Sequence, residues 1–288
     1  MVENKIKILV CCHKKDIMAT DYPYYPIQVG KDLSSINLNI GSDNEGENIS
    51  NKNNSYCELT GLYWAWKNLK DTDIIGLCHY RRYFDFHNQC NSIFPYKSIK
   101  TSDFSKIDLS IPSSIIKQVE EGKWVVANYK HYPSNLYLDY CHYHNSDDLR
   151  VLEKIFFETQ PKKYMDAFNK VMYKNNKLIH YNMFLANWKD FDQYCSWLFS
   201  ILSEAEKRID ITHYNNVQKR IYGYFAERLL NIYLYANNIQ IIQKPILWIH
   251  DDEEDFMSNS VPAYLTRRTL NDLGVKIANF HKKFIYNK

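Results

Sequence analysis

The chain has 288 residues, 45% hydrophobic and 24% charged, a balance that fills a globular core and excludes a disordered or fibrous chain. Its net charge of +3 is too mild to mark a nucleic-acid-binding protein. With no signal peptide and no apolar stretch long enough to span a bilayer, a cytoplasmic protein is expected, touching a membrane peripherally at most.

Seven cysteines occur, Cys11, Cys12, Cys57, Cys78, Cys90, Cys141 and Cys195. Their irregular spacing suggests neither a zinc site nor a disulfide framework, so reduced thiols are expected. A buried strand is predicted over Lys5–Cys12, with His13 and Lys14 following its carboxyl end. The polar loop up to Asn54 contains Asp43, Asn44, Glu47 and Asn48. These groups suit sugar hydroxyls, and equally a solvated Asx-rich loop. Ser55 and Glu58 then spell a capping box. Tyr56, Leu59, Tyr63, Trp66 and Leu69 continue at helical spacing. Glu58 is therefore either a cap or a ligand.

The apolar run Ile74–Cys78 predicts a second buried strand, and it ends in His79, Arg81 and Arg82. Ligands of open α/β sheets bind beyond the carboxyl ends of the strands. Arginines there need an anion or a carboxylate, and a diphosphate is the simplest candidate. Asp71-Thr72-Asp73 has the spelling of a metal-binding D-x-D motif, but it precedes the strand and reads as a turn.

Further on, a strand is predicted over Lys123–Ala127 and a Tyr/His-rich loop over Asn128–Ser146, with His131, His142 and His144. Asp147 and Asp148 open a helix, and Pro161–Asn175 forms another. Ile179–Trp188 reads as a strand whose alternation puts His180 and Asn182 on one face. Helices over Phe191–Ala205 and Val217–Ala236 precede a strand at Ile239–Gln243. This alternation predicts a mostly parallel sheet with helices on both faces.

The order of several unusual segments resembles one bacterial family. They are Cys12-His13-Lys14, Tyr25–Gly30, the Gly41–Ser50 loop with Tyr56–Asn68, Gly76–Phe84, His180–Phe184 and Tyr224–Leu229. The family belongs to capsule, O-antigen and exopolysaccharide loci. It was long known only as a domain of unknown function and is now associated with galactofuranosyl transfer. The resemblance implies an inverting glycosyltransferase of GT-A-like fold. Such an enzyme takes a sugar from a UDP donor and passes it to a lipid-linked glycan at the inner face of the plasma membrane.

On that reading His13, Lys14, Asp43, Asn44, Asn48, His79, Arg81 and Arg82 are donor-binding candidates. His142, His144, His180, Asn182 and Arg228 are acceptor-binding candidates. Glu227, in Tyr222–Arg228, is the candidate base, with Asp147 and Asp148 next. The arginines stand where a metal is expected, so no cofactor is required. Manganese or magnesium held by Asp85 or Asp73 is the alternative. Alternative functions are another UDP- or dTDP-sugar transferase of this fold, or a non-catalytic module that binds glycan or RNA.

The body is expected over residues 1–250. An acidic run, Asp251–Asp255, then leads into a basic tail ending at residue 288. In the tail, Leu270, Leu273, Ile277, Phe280 and Phe284 form an apolar stripe, with Arg268, Lys276, Lys282 and Lys283 projecting opposite. Such a helix lies in an anionic membrane surface or packs on the protein's own core.

Overall fold

The computed structural model describes residues 5–89, 94–252 and 261–286, the last seven of these as helix backbone alone. Strands β1 (Ile6–Cys12), β2 (Tyr24–Gln28) and β3 (Gly41–Ser42) run parallel, side by side. β4 (Ile74–His79) pairs in parallel with the other edge of β1, placing Ile8 opposite Gly76. β5 (Arg82–Phe84) turns back antiparallel from the end of β4. β6 (Tyr96–Ile99) and β7 (Trp124–Ala127) follow. β8 (Lys130–His131) and β9 (Lys177–Leu178) form a separate pair. β10 (Phe184–Asn187) inserts antiparallel between β4 and β7. β11 (Ile241–Lys244) runs parallel to β7, and β12 (Ile246–Ile249) joins β5 to β6. The spatial order is β11-β7-β10-β4-β1-β2-β3, a mostly parallel sheet as expected.

Helices α1 (Asn53–Tyr56), α2 (Leu59–Asn68), α3 (Ser113–Glu120), α4 (Leu136–Tyr143) and α5 (Ser146–Thr159) come first. α6 (Lys162–Phe168), α7 (Trp188–Arg208), α8 (Ile221–Ala236) and α9 (Val261–Tyr286) complete the set. The central strands are apolar throughout because helices flank the sheet. Leu9, Ile75, Leu77, Val125 and Leu185 are fully buried, each contributing about 1.5–3 kcal/mol over an exposed position. Gly76 lets β4 and β10 approach, since a Cβ there would sit 3.0 Å from Leu185. α7 starts where the Asn187 side chain accepts from Asp190 N, and it buries Phe191, Tyr194, Leu198 and Leu202.

Four local expectations are corrected. Ser55 and Glu58 form no capping box: Cys57, at φ 53°, breaks the chain between α1 and α2, and no side chain caps α2. Ser55 Oγ bonds the Lys52 carbonyl instead. The Tyr/His-rich loop contains α4, started by the Asn135 side chain accepting from Leu138 N. The strand expected over Ile179–Trp188 is short, because Tyr181 and Asn182 both take left-handed φ values, 71° and 53°. That turn cancels the alternation that put His180 and Asn182 on one face.

The fourth correction concerns the tail. Leu270, Leu273 and Ile277 do not pack on the core; they stand 62%, 51% and 49% exposed. Arg268, on the face opposite the stripe, is half-buried. Cys90 and Glu253–Asp255 lie outside the described residues, as do the side chains of Phe280, Lys282, Lys283 and Phe284. The other six cysteines are free thiols. Among the described residues, no helix is long and apolar enough to cross a membrane.

Candidate active site

A cleft of about 640 Å³ opens at the carboxyl ends of β1 and β4, where ligands of α/β sheets bind. Cys11 and His13 come from the end of β1, and His79, Tyr80, Arg81 and Arg82 from the end of β4. Asn53, Asn54, Cys57 and Glu58 come from the α1–α2 corner, Asn216, Lys219 and Arg220 from the approach to α8, and Trp248 from β12. A second cleft of about 790 Å³ lies between Lys5, Tyr22 and Asp71 at the opposite, amino ends of β1 and β2.

The first cleft is predominantly cationic. Arg81 is joined to Asp16 at 2.8 Å. The Arg82 guanidinium lies 4.6 Å from the Tyr181 ring and 5.4 Å from that of Trp248. Its buried Nε has no hydrogen-bond partner among the described residues. Lys219 and Arg220 immediately precede α8, where cations are disfavoured by the helix dipole. Two cations there share the cleft with Arg82, while Arg81 is matched by Asp16, and this surplus of positive charge suits an anion.

Glu58 is the carboxylate among the residues lining this cleft. It sits at the start of α2, a favourable place for negative charge. One of its oxygens accepts from Asn182 Nδ2 at 2.7 Å, and the same amide donates to the Gly223 carbonyl at 3.3 Å. Gly223 admits this corner closely, since a Cβ there would lie 3.2 Å from Cys57 Sγ. Arg220 Nε donates to that sulfur at 3.3 Å. Burial, reinforced by Glu58, pushes the Cys57 thiol up to about 11, so it stays protonated near neutral pH. The strain of a non-glycine residue at φ 53° is of the kind that persists at functional sites.

His79 Nε2 donates to the Tyr181 carbonyl at 2.8 Å, which fixes the proton on that nitrogen. Burial lowers the His79 pKa, against the opposing pull of Glu58. Burial, followed by Lys14 and Arg220, lowers that of His13.

Of the expected donor ligands, His13, His79, Arg81 and Arg82 meet in the cleft, whereas Lys14 pairs with Asp16 at 4.0 Å and is not part of the lining. Asp43, Asn44 and Asn48 do not line it. Asp43 is fully buried and accepts from Gly30 N, Lys31 N and Ser50 Oγ. Asn44 donates to Asp32, and Asn48 to the Asn44 and Gly46 carbonyls. These side chains satisfy their own loop, which is the Asx-rich alternative.

The expected base Glu227 is likewise engaged elsewhere. Its two oxygens accept from Tyr181 N at 2.9 Å and from Arg228 at 3.2 Å. It thereby holds the left-handed turn that carries Asn182. Asp147 pairs with Arg150 on the surface, and Asp148 is buried against Tyr214. Neither lines the cleft.

Of the acceptor candidates, Asn182 reaches the cleft through Glu58. Arg228 is buried between Asp139, Glu227 and the Tyr140 ring. His142 is exposed. His144 lies against Tyr224, with ring centroids 4.1 Å apart, and His180 bonds Tyr132 at 2.6 Å.

Burial pushes both His144 and His180 down to about 4 from the ordinary 6.5. The unfolded chain therefore binds more protons between those values, and stability falls as pH drops through that window. From His180 alone the loss at pH 5 relative to pH 7 is of order 2 kcal/mol. Denaturant titrations at the two pH values check this, and His180→Asn is expected to flatten the difference.

A divalent cation does not fit the residues at the end of β4, where a D-x-D motif would stand. Arg81 and Arg82 occupy that place, while Asp73 accepts from Lys5 N at the amino end. Asp85 is fully buried and accepts from Gln89 N.

Lys219, Arg220, Cys57, Asn216 and Trp248 line the cleft without any motif marking them in the sequence, where Glu58 stands between two roles. The available signal was a pair of cations at the start of an apolar helix, against the dipole.

The model of the family described as a domain of unknown function, DUF4422, matches residues 7–238. Among solved structures, the chain is similar to the apo structure of the bifunctional glycosyltransferase WbbM, with TM-score 0.78 and 27% identity. The match covers 86% of this chain and 46% of that one, so the matched region spans less than half the length of that structure. No curated protein matches.

Proposed function

The chain belongs to the DUF4422 family, and on that premise we propose that it is a glycosyltransferase of polysaccharide synthesis. The observation that carries this reading is the cationic cleft at the ends of β1 and β4, with one carboxylate set among its cations. The likeness to WbbM supports it. The donor is a UDP-sugar, and the sequence resemblance favours galactofuranose. The acceptor is a hydroxyl of a lipid-linked glycan in capsule, O-antigen or exopolysaccharide synthesis, and the enzyme works at the cytoplasmic face of the membrane.

The reaction is one inverting displacement. Glu58, held by Asn182, takes the proton of the acceptor hydroxyl. The hydroxyl oxygen bonds to the anomeric carbon as the bond from that carbon to the diphosphate breaks. UDP departs with the electron pair. Arg82, Lys219 and Arg220 stabilise the charge that develops on it. Glu227 acts one step back, by fixing the turn that presents Asn182.

Incubating the purified protein with a panel of UDP- and dTDP-sugars, with and without excess chelator, tests the proposal. UDP-galactofuranose should be consumed, and chelator should leave the rate within about twofold, because fixed cations replace the metal. Loss of activity in EDTA, restored by manganese or magnesium, would return Asp85 or Asp73 to candidacy. Turnover of no nucleotide sugar would favour a non-catalytic binding module.

A further inference from the structure

Helix α9 is fastened to the body by its polar side. Asp272 accepts from His131 Nδ1 at 2.7 Å and from Asn176 Nδ2 at 3.0 Å. Asn271 donates to the His131 carbonyl and Asn279 to the Lys174 carbonyl. Val275, between them, is 6% exposed. Positions 271, 272, 275 and 279 share one helix face. The opposite face holds Leu270, Leu273 and Ile277, about half exposed or more. A surface helix normally turns its apolar stripe inward and its polar face to water. Here the arrangement is reversed.

The charges on α9 indicate what covers the stripe. Arg267 and Lys276 are exposed. At 3.6 residues per turn, each lies about 60° from the nearest stripe residue, one on either side. The single carboxylate between Val261 and Asn279 is Asp272, and it is spent on the docking contacts. The outward side of this segment is therefore apolar along its middle and cationic along both margins. Long basic side chains at such margins reach lipid phosphates while the stripe enters the acyl boundary. A second copy fits less well, because a two-fold contact through this face would bring like-charged margins together.

We propose that α9 is an interfacial helix that lays Leu270, Leu273 and Ile277 into an anionic lipid surface. The inference rests on the docking geometry and not on the enzymatic reading, so its test needs no donor or acceptor. Full-length protein is sedimented with phosphatidylcholine vesicles and with vesicles containing phosphatidylglycerol. Binding is expected to the anionic vesicles, weakening as salt rises. Replacing Leu270, Leu273 and Ile277 together by Gln should reduce binding at least tenfold and leave the melting temperature unchanged. Arg267→Gln with Lys276→Gln should abolish the preference for anionic lipid. The proposal is overturned if the full chain sediments with neither vesicle or if the triple variant melts well below the parent. It is also overturned if light scattering shows a dimer that the triple variant dissolves.

Discussion

Glu58→Gln is expected to lower turnover by about 10²–10⁴-fold, the usual size of a lost general base, with UDP affinity unchanged. The amide keeps the shape of the carboxylate and can still accept from Asn182, whose bond to Glu58 is 2.7 Å. What it loses is the capacity to take a proton. Steady-state rates and UDP titration on the same preparation check the split. A rise in KM with turnover preserved would make Glu58 a ligand of a sugar hydroxyl instead. Glu227→Gln is the informative companion. Because Glu227 holds the Tyr181 backbone and Arg228, its loss should appear in melting temperature as well as in rate.

Arg82→Ala is expected to weaken UDP binding roughly ten- to a hundredfold. A charge-assisted hydrogen bond lost from one side is worth about 1.5–3 kcal/mol. The guanidinium is already set in place by the Tyr181 and Trp248 rings, so little ordering entropy is spent on binding. Calorimetric titration with UDP measures the change. Unaltered affinity in a folded variant would show that Arg82 serves the packing of these rings.

The parts of the fold legible in the sequence were those written in local pattern. Ile74–Cys78 announced a buried strand because it is apolar throughout, and the cationic residues after it announced a charged strand end, where Arg81 meets Asp16 and Arg82 lines the cleft. The helical periodicity of α7 and α8 was equally plain. The α1–α2 corner was not, because Cys57 takes a positive φ where α8 packs against it through Gly223, a contact between residues far apart in the chain. Without that knowledge, Ser55 and Glu58 spell a cap. The turn at Tyr181 and Asn182 is similarly tertiary, held by Glu227 from another helix.

Residues such as Asp43 misled for the opposite reason. A polar cluster has the same composition whether it faces a sugar or satisfies its own backbone, and only the three donors around Asp43 separate the two. Lys219 and Arg220 lie far from Arg82 in sequence, so their convergence in one cleft becomes visible only once the chain is folded.

The central claim is that the cleft at the ends of β1 and β4 receives a nucleoside diphosphate. A crystal structure of the protein soaked with UDP tests it most directly. The account predicts the diphosphate within hydrogen-bonding distance of Arg82 and of Lys219 or Arg220, with Glu58 beside the space left for the sugar. UDP seated elsewhere, as in the cleft between Lys5 and Tyr22, or no UDP at saturating concentration, would contradict it.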